Sequence, residues 1–160
     1  MTLLGTVETK ILTLLDPLLI TNGGELKAIS VEEFKTEEAL GELIQRFRPQ
    51  MPAGFLSTPS GVLEKAAGPR VLDARLEYRF LVGLTTRRST KERRDAAFQI
   101  FDHFCQLLSL RQIGRQGLAT TSPPDFVRVT LVDYADSNEI AALLVGFSIA
   151  IRNWQINEPA

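Results

Sequence analysis

An alternating segment near the middle of the chain constrains the fold most strongly. Over residues 71–87, VLDARLEYRFLVGLTTR, apolar side chains fall at every second position from Leu72 to Leu84, and charged or polar side chains fill most of the positions between them. A period of two residues places the two sets on opposite faces of an extended strand. The pattern therefore predicts a long strand with one buried face and one wet face.

Three other segments have helical periodicity. Apolar side chains recur at spacings of three and four over residues 3–16, which predicts an amphipathic helix ended by a proline. Segment 36–47 begins with a threonine that can act as N-cap and with two glutamates, and it predicts a second, short helix. The longest helix is predicted from Ser89, which forms a capping-box pattern with Glu92, to about Leu110.

The remaining chain predicts strands and loops. Segments rich in β-branched and aromatic residues are predicted as further strands: 26–34, 51–58, 126–134 and 139–154. The last two flank the hairpin-like ADSN, and the small apolar face of the final strand predicts cover by a helix or a neighbouring subunit. Loops are predicted over 60–70 and 111–125, and a flexible end over 156–160.

These elements predict one α+β domain over residues 1–160, built on a mainly antiparallel sheet. The N-terminal helix and the long central helix are expected to pack on a face of that sheet. The formal net charge of −1 argues against a wholly basic nucleic-acid binder, and no apolar run is long enough for a membrane span. The single cysteine, Cys105, indicates a reducing compartment, the cytoplasm during synthesis.

Residue chemistry predicts no catalytic, cofactor-binding or metal site. His103 and Cys105 are two residues apart on a predicted helix, so they point in different directions, and we expect a buried structural cysteine and a surface histidine. A second cysteine or histidine that would complete a metal site does not exist in the sequence. The two glycines at 23 and 24 are not followed by the lysine of a phosphate-binding loop, and they indicate a turn.

Two clusters of charge remain as candidate interaction surfaces. The first, the basic cluster, comprises Arg87, Arg88, Lys91, Arg93 and Arg94 at the start of the long helix. Cations are disfavoured there by the helix macrodipole, so the helix itself does not account for them. The second lies within an acid-rich segment from Glu25 to Glu42, and its candidate residues are Glu32, Glu33, Glu37, Glu38 and Glu42.

Both clusters have two interpretations. They are either solvated faces, or the acidic surface of one copy contacts the basic surface of the next in a head-to-tail arrangement that closes into a ring.

The order of elements resembles a known family. The short strand MPAGFL, the long strand YRFLVGLTTRR, the helix STKERRDAAFQIFDHFCQLL, the break at Ile113–Gly114 and the segment LVDYADSNEIAALLVGFSIAI follow one another as in the tail-terminator (tail-completion) proteins of Mu-like contractile-tailed phages and prophages. The N-terminal helix and TNGGEL also fit that pattern, so the resemblance covers nearly the full chain.

The resemblance implies a structural role without catalytic residues. It implies a homo-oligomeric ring, usually a hexamer, that halts polymerisation of the tail tube and sheath and joins a head-completion (connector) protein. The location implied is the virion tail, after assembly in the host bacterial cytoplasm. The basic cluster would then contact a neighbouring subunit, the acidic end of the tube, or DNA in transit through the lumen.

Two functions of other classes stay open from the residues alone. A nucleic-acid-binding module would use the basic cluster against phosphates, although the cluster contains no aromatic side chain for base stacking. A small cytoplasmic enzyme would require a polar pocket that the sequence does not identify.

Overall fold

The computed structural model describes residues 2–34, 37–68, 71–85, 90–109, 115–116, 119–133 and 140–155. Within them the helices are α1 (Leu3–Leu15), α2 (Glu37–Phe47) and α3 (Thr90–Leu108). The strands are β1 (Ala28–Glu32), β2 (Ala53–Ser57), β3 (Ser60–Gly68), β4 (Val71–Thr85), β5 (Arg115–Gln116), β6 (Ala119–Thr121), β7 (Asp125–Asp133) and β8 (Ile140–Gln155). All the described strands join one sheet, and the chain has the predicted α+β class.

Strands β4 and β8 form the centre of the sheet. They pair antiparallel from Val71 opposite Gln155 to Thr85 opposite Ile140. Each has a second neighbour made of two segments, β2 and β3 along β4, and β6 and β7 along β8. The break between the segments contains Pro59 on one side and two prolines, at 123 and 124, on the other, because proline cannot donate to the ladder.

Two predicted loops contain strands. Residues 60–70 were predicted as a loop, but β3 occupies Ser60–Gly68 and pairs antiparallel with the first half of β4. Segment 111–125 contains β5 and β6, and its last residue, Asp125, begins β7. In both segments glycine and proline hide the periodicity, whereas the long central strands supply partners that the local sequence does not reveal. The predicted flexible end at 156–160 lies outside the described residues.

Helices pack on both faces of the sheet rather than on one. Helices α1 and α3 cover the face that carries Tyr78, Phe80 and Phe147, where the ring centroids of Phe80 and Phe104 are 4.9 Å apart. Helix α2 covers the opposite face through Leu40, Leu43 and Ile44, which pack with Phe55, Leu81 and Ala142. The predicted cover of the small apolar face of β8 is therefore provided by α2 over Ala142 and Leu144.

The burial of the long strand β4 therefore differs between its two halves. Its first half has the predicted buried and wet faces, since Ala74 and Leu76 are buried while Arg75 and Glu77 are exposed. In its second half both faces are buried, because α2 covers the face that α1 and α3 leave open. The β1–β2 pair is parallel, and every other described strand pair is antiparallel. No described helix has the length and apolar character needed to span a bilayer.

Candidate subunit interface

The described part of the basic cluster lies on the exposed face of α3. The core face of this helix is formed by Ala97, Ile100, Phe104 and Leu108, all buried against the sheet. Lys91 and Arg94 lie outside that stripe and are exposed. Position 93 belongs to α3, but the Arg93 side chain is outside the described residues, as are Arg87, Arg88 and the predicted cap Ser89.

An exposed aromatic side chain, which is not among the residues predicted from the sequence, accompanies these cations. Phe98 is 44% exposed, and the guanidinium carbon of Arg94 lies 5.9 Å from the centroid of its ring. Aromatic side chains, phenylalanine among them, and arginine are enriched in protein interfaces. The position was detectable: Phe98 follows Ala97 directly, so it points about 100° away from the core stripe of the helix.

Two exposed glutamates on α2 make up half of the described acidic cluster. Glu38 and Glu42 are exposed one helical turn apart, and Glu33 is exposed just after β1. Glu32 differs, because its carboxylate accepts a hydrogen bond from Arg46 at 3.1 Å, an ion pair within the same chain. Glu37 begins α2, and its side chain lies outside the described residues.

Within one copy, the described cations of α3 and the described acids of α2 lie on opposite sides of the sheet. Helix α3 packs on the face of the sheet that carries Phe80, whereas α2 packs on the face that carries Leu81. Adjacent residues of a strand point to opposite faces, so the sheet separates Lys91 and Arg94 from Glu38 and Glu42. Direct contact between the acidic and basic surfaces therefore requires a second copy.

The thiol and imidazole of α3 show no catalytic arrangement. Cys105 is half-buried at the margin of the core rather than fully buried as predicted, and His103 is partly exposed. Burial, with a smaller contribution from Asp102, raises the pKa of the Cys105 thiol, which disfavours the reactive thiolate. Across the described residues no group of three or more histidine, cysteine, aspartate or glutamate side chains has the geometry to hold a metal ion.

Comparison with known proteins gives a likeness of fold. No model of a protein family and no curated protein sequence matches the chain. Its fold is similar to that of a chain in the solved virion of a native gene transfer agent (GTA) particle, with a TM-score of 0.54 and 9% sequence identity. The superposition covers 95% of this chain and 96% of the other, so the two share an architecture from end to end.

Proposed function

We propose that this protein is a structural component of a phage or phage-like particle, and specifically a tail terminator. The observation that carries the proposal is the likeness of fold to a chain of the gene transfer agent virion, which extends over 95% of the chain. The finer assignment to a tail terminator is supported by the order of elements from MPAGFL to the last strand, which resembles that of the tail terminators of Mu-like phages.

In this role the chain forms a ring that caps the tail tube and sheath and presents a surface to the head. Helix α2, with its exposed glutamates, and helix α3, with its exposed cations, support such an assembly because they lie on opposite faces of the sheet. Surfaces that are complementary but separate generate head-to-tail contacts, and a head-to-tail contact closes into a ring when the rotation between neighbours permits it. The partners would be further copies of the chain, the tube and sheath proteins, a connector protein and DNA in transit.

The ring is tested by light scattering and negative-stain electron microscopy of the purified protein. We expect one closed cyclic assembly of about six subunits with a central opening, the size that the resemblance to tail terminators implies. A monomer at concentrations of tens of micromolar would contradict the proposal. In the producing phage, deletion of the gene should leave tails of unregulated length without heads, whereas deletion of a head protein should leave tails of normal length.

One observation favours nucleic-acid binding as a second candidate. The exposed Phe98 ring beside Arg94 supplies the aromatic face that the basic cluster itself lacks. Fluorescence anisotropy with labelled single-stranded and double-stranded oligonucleotides tests it across a salt series. Binding that weakens steeply with salt and is lost in Phe98→Ala would support contact with DNA, and absence of binding at low salt would contradict it.

A further inference from the structure

Two strands leave an unpaired side at opposite edges of the sheet. Among the described residues β3 pairs only with β4, and β7 pairs only with β8, so each has one row of backbone groups without a strand partner. Both strands are nine residues long. Free edges of this length are templates for pairing with another chain, and soluble proteins usually protect them with charge or cover.

Both edges carry exposed aliphatic side chains, although the sequences of both strands also contain charged residues. On β3, Val62 and Leu63 are 63% and 65% exposed, and on β7, Val127 and Val129 are 69% and 50% exposed. Leu63 lies opposite Ala74, and Val129 lies opposite Val145, so both occupy the face of the sheet that α1 and α3 cover. Aliphatic side chains on the same face of two free edges match one another when the edges meet.

Strand direction also matches. β3 runs antiparallel to β4, β4 to β8, and β8 to β7, so β3 and β7 run in opposite directions. When two copies lie in the same orientation, β3 of one beside β7 of the next forms an antiparallel pair and the alternation continues. We infer that β3 of one copy pairs with β7 of the next copy, and that this edge contact joins the subunits of the ring.

The inference specifies a register. With Leu63 opposite Val129, the position of Glu64 falls opposite Arg128, an acid against a base. Within one copy, β3 lies along the first half of β4, and β7 lies beside the half of β8 that pairs with the second half of β4. Neighbouring copies are therefore staggered along the strand direction. A stagger of this kind accompanies strands that tilt relative to the axis when a sheet closes on itself. The inference rests on the proposed ring and names its contact.

Disulfide trapping in a Cys105→Ser background tests the register. Leu63→Cys and Val129→Cys replace exposed side chains, so folding should be retained, and circular dichroism checks it. The chain carrying both cysteines should give a ladder of cross-linked oligomers on mild oxidation that ends at the size of the ring. A mixture of the two single variants should give a mixed dimer, and either single variant alone should give none.

Four outcomes would overturn the inference. A disulfide dimer of Leu63→Cys alone indicates symmetric β3–β3 pairing, and trapping of Val129→Cys by Ser30→Cys but not by Leu63→Cys assigns the contact to β1. Rings without any cross-link overturn the edge contact and leave the proposed function standing. A monomer by light scattering that also gives no cross-link contradicts the edge contact and the proposed function together.

Discussion

The Asp73 carboxylate holds the backbone of Asn153 at an irregularity in the central strand pair. One carboxylate oxygen of Asp73 accepts a hydrogen bond from the Asn153 N–H at 3.1 Å, and the other accepts one from Arg152 Nη1 at 3.2 Å. The register of β4 and β8 shifts here, between Leu72 and Ala74, and Asn153 has a φ of 58°. An extra residue in one strand leaves an amide without a ladder partner, and Asp73 supplies that partner.

The left-handed backbone at Asn153 predicts contrasting substitutions. Asn153→Gly should change the free energy of unfolding little, because glycine adopts positive φ without steric cost. Asn153→Val should lower it by about 1–2 kcal/mol, since a β-branched side chain clashes with its own backbone in this region. Urea unfolding of both variants at one fixed protein concentration measures the difference. Equal stability of the two variants would contradict the observed conformation.

The same substitution, glycine to alanine, should have opposite effects on stability at Gly41 and at Gly54. A Cβ at Gly41 in α2 meets nothing within 4 Å, so Gly41→Ala should raise stability by about 1 kcal/mol through helix propensity. A Cβ at Gly54 in β2 would lie 2.6 Å from the ring of Phe80, which is fully buried and cannot move aside. Gly54→Ala should therefore cost about 1–3 kcal/mol. The midpoints of thermal unfolding should move in opposite directions, and a shared direction would contradict the packing around Gly54.

The sequence specifies the elements better than their arrangement. Local periodicity predicts β4, β8 and α3, and the structure confirms these elements, although the buried and wet faces of β4 hold only over its first half. Strand β3 was not predictable from local periodicity, because it forms by pairing with β4, which lies later in the chain. The first half of β4 is not paired with β2 and is therefore available to β3. The face of the sheet on which α2 packs was also not predictable. The alternation of β4 predicts a solvent-exposed face at Leu81, and this face is buried only because α2 packs on it.

The same limit applies to the candidate interface. Charge along the chain identifies the clusters, but it does not reveal that Glu32 is paired with Arg46 or that Phe98 is exposed beside Arg94. The Glu32–Arg46 pair depends on which face of α2 the sheet covers, whereas the exposure of Phe98 follows from its position outside the core stripe of α3.

Removal of the buried Tyr78 hydroxyl should leave the stability of the protein unchanged or raise it. Its ring is stacked on Phe147 with centroids 5.5 Å apart, and its buried hydroxyl has no hydrogen-bond partner among the described residues. Tyr78→Phe keeps the stacking and removes a polar group whose unpaired burial costs about 1–3 kcal/mol, so stability should be unchanged or raised by up to that amount. Phe147→Leu is the control, and it should lose about 1 kcal/mol with the ring contact. A loss of more than about 1 kcal/mol in Tyr78→Phe would indicate a hidden partner for the hydroxyl.

Tyr78 also predicts a specific dependence on alkaline pH. Burial, with a smaller contribution from Glu8, raises the pKa of Tyr78 well above its ordinary value of about 10. Above about pH 10, the ordinary pKa of tyrosine, the unfolded chain releases the phenol proton while the folded chain retains it. The free energy of unfolding therefore falls as pH rises. The slope from this group is at most about 1.4 kcal/mol per pH unit. The stability difference between the parent and Tyr78→Phe should therefore grow in favour of the variant above about pH 10, and parallel curves would contradict the shift.

Charge reversal on α3 separates assembly from folding. The charge contact is an alternative to the β3–β7 contact, because a sheet continued through β3 and β7 keeps α3 of one copy and α2 of the next on opposite faces. If the charged surfaces join the copies, Lys91→Glu with Arg94→Glu should dissociate the ring at low salt, because the exposed cations would no longer face the Glu38 and Glu42 surface of a neighbour. Lys91 lies in the first turn of α3, where an acid stabilises the helix by about 0.3–1 kcal/mol, so the variant should fold about as well as the parent, and a lost ring would not reflect unfolding.

Adding Glu38→Lys and Glu42→Lys to the same chain should restore the ring, since the attraction returns with its sign exchanged. Lys10→Glu, which reverses an exposed cation on α1, serves as the control and should leave assembly unchanged. Sedimentation at low and high salt measures each assembly, and the differences should shrink at high salt through screening. An unchanged profile of the Lys91→Glu, Arg94→Glu variant at low salt would assign both clusters to solvent and leave the edge strands as the candidate contact.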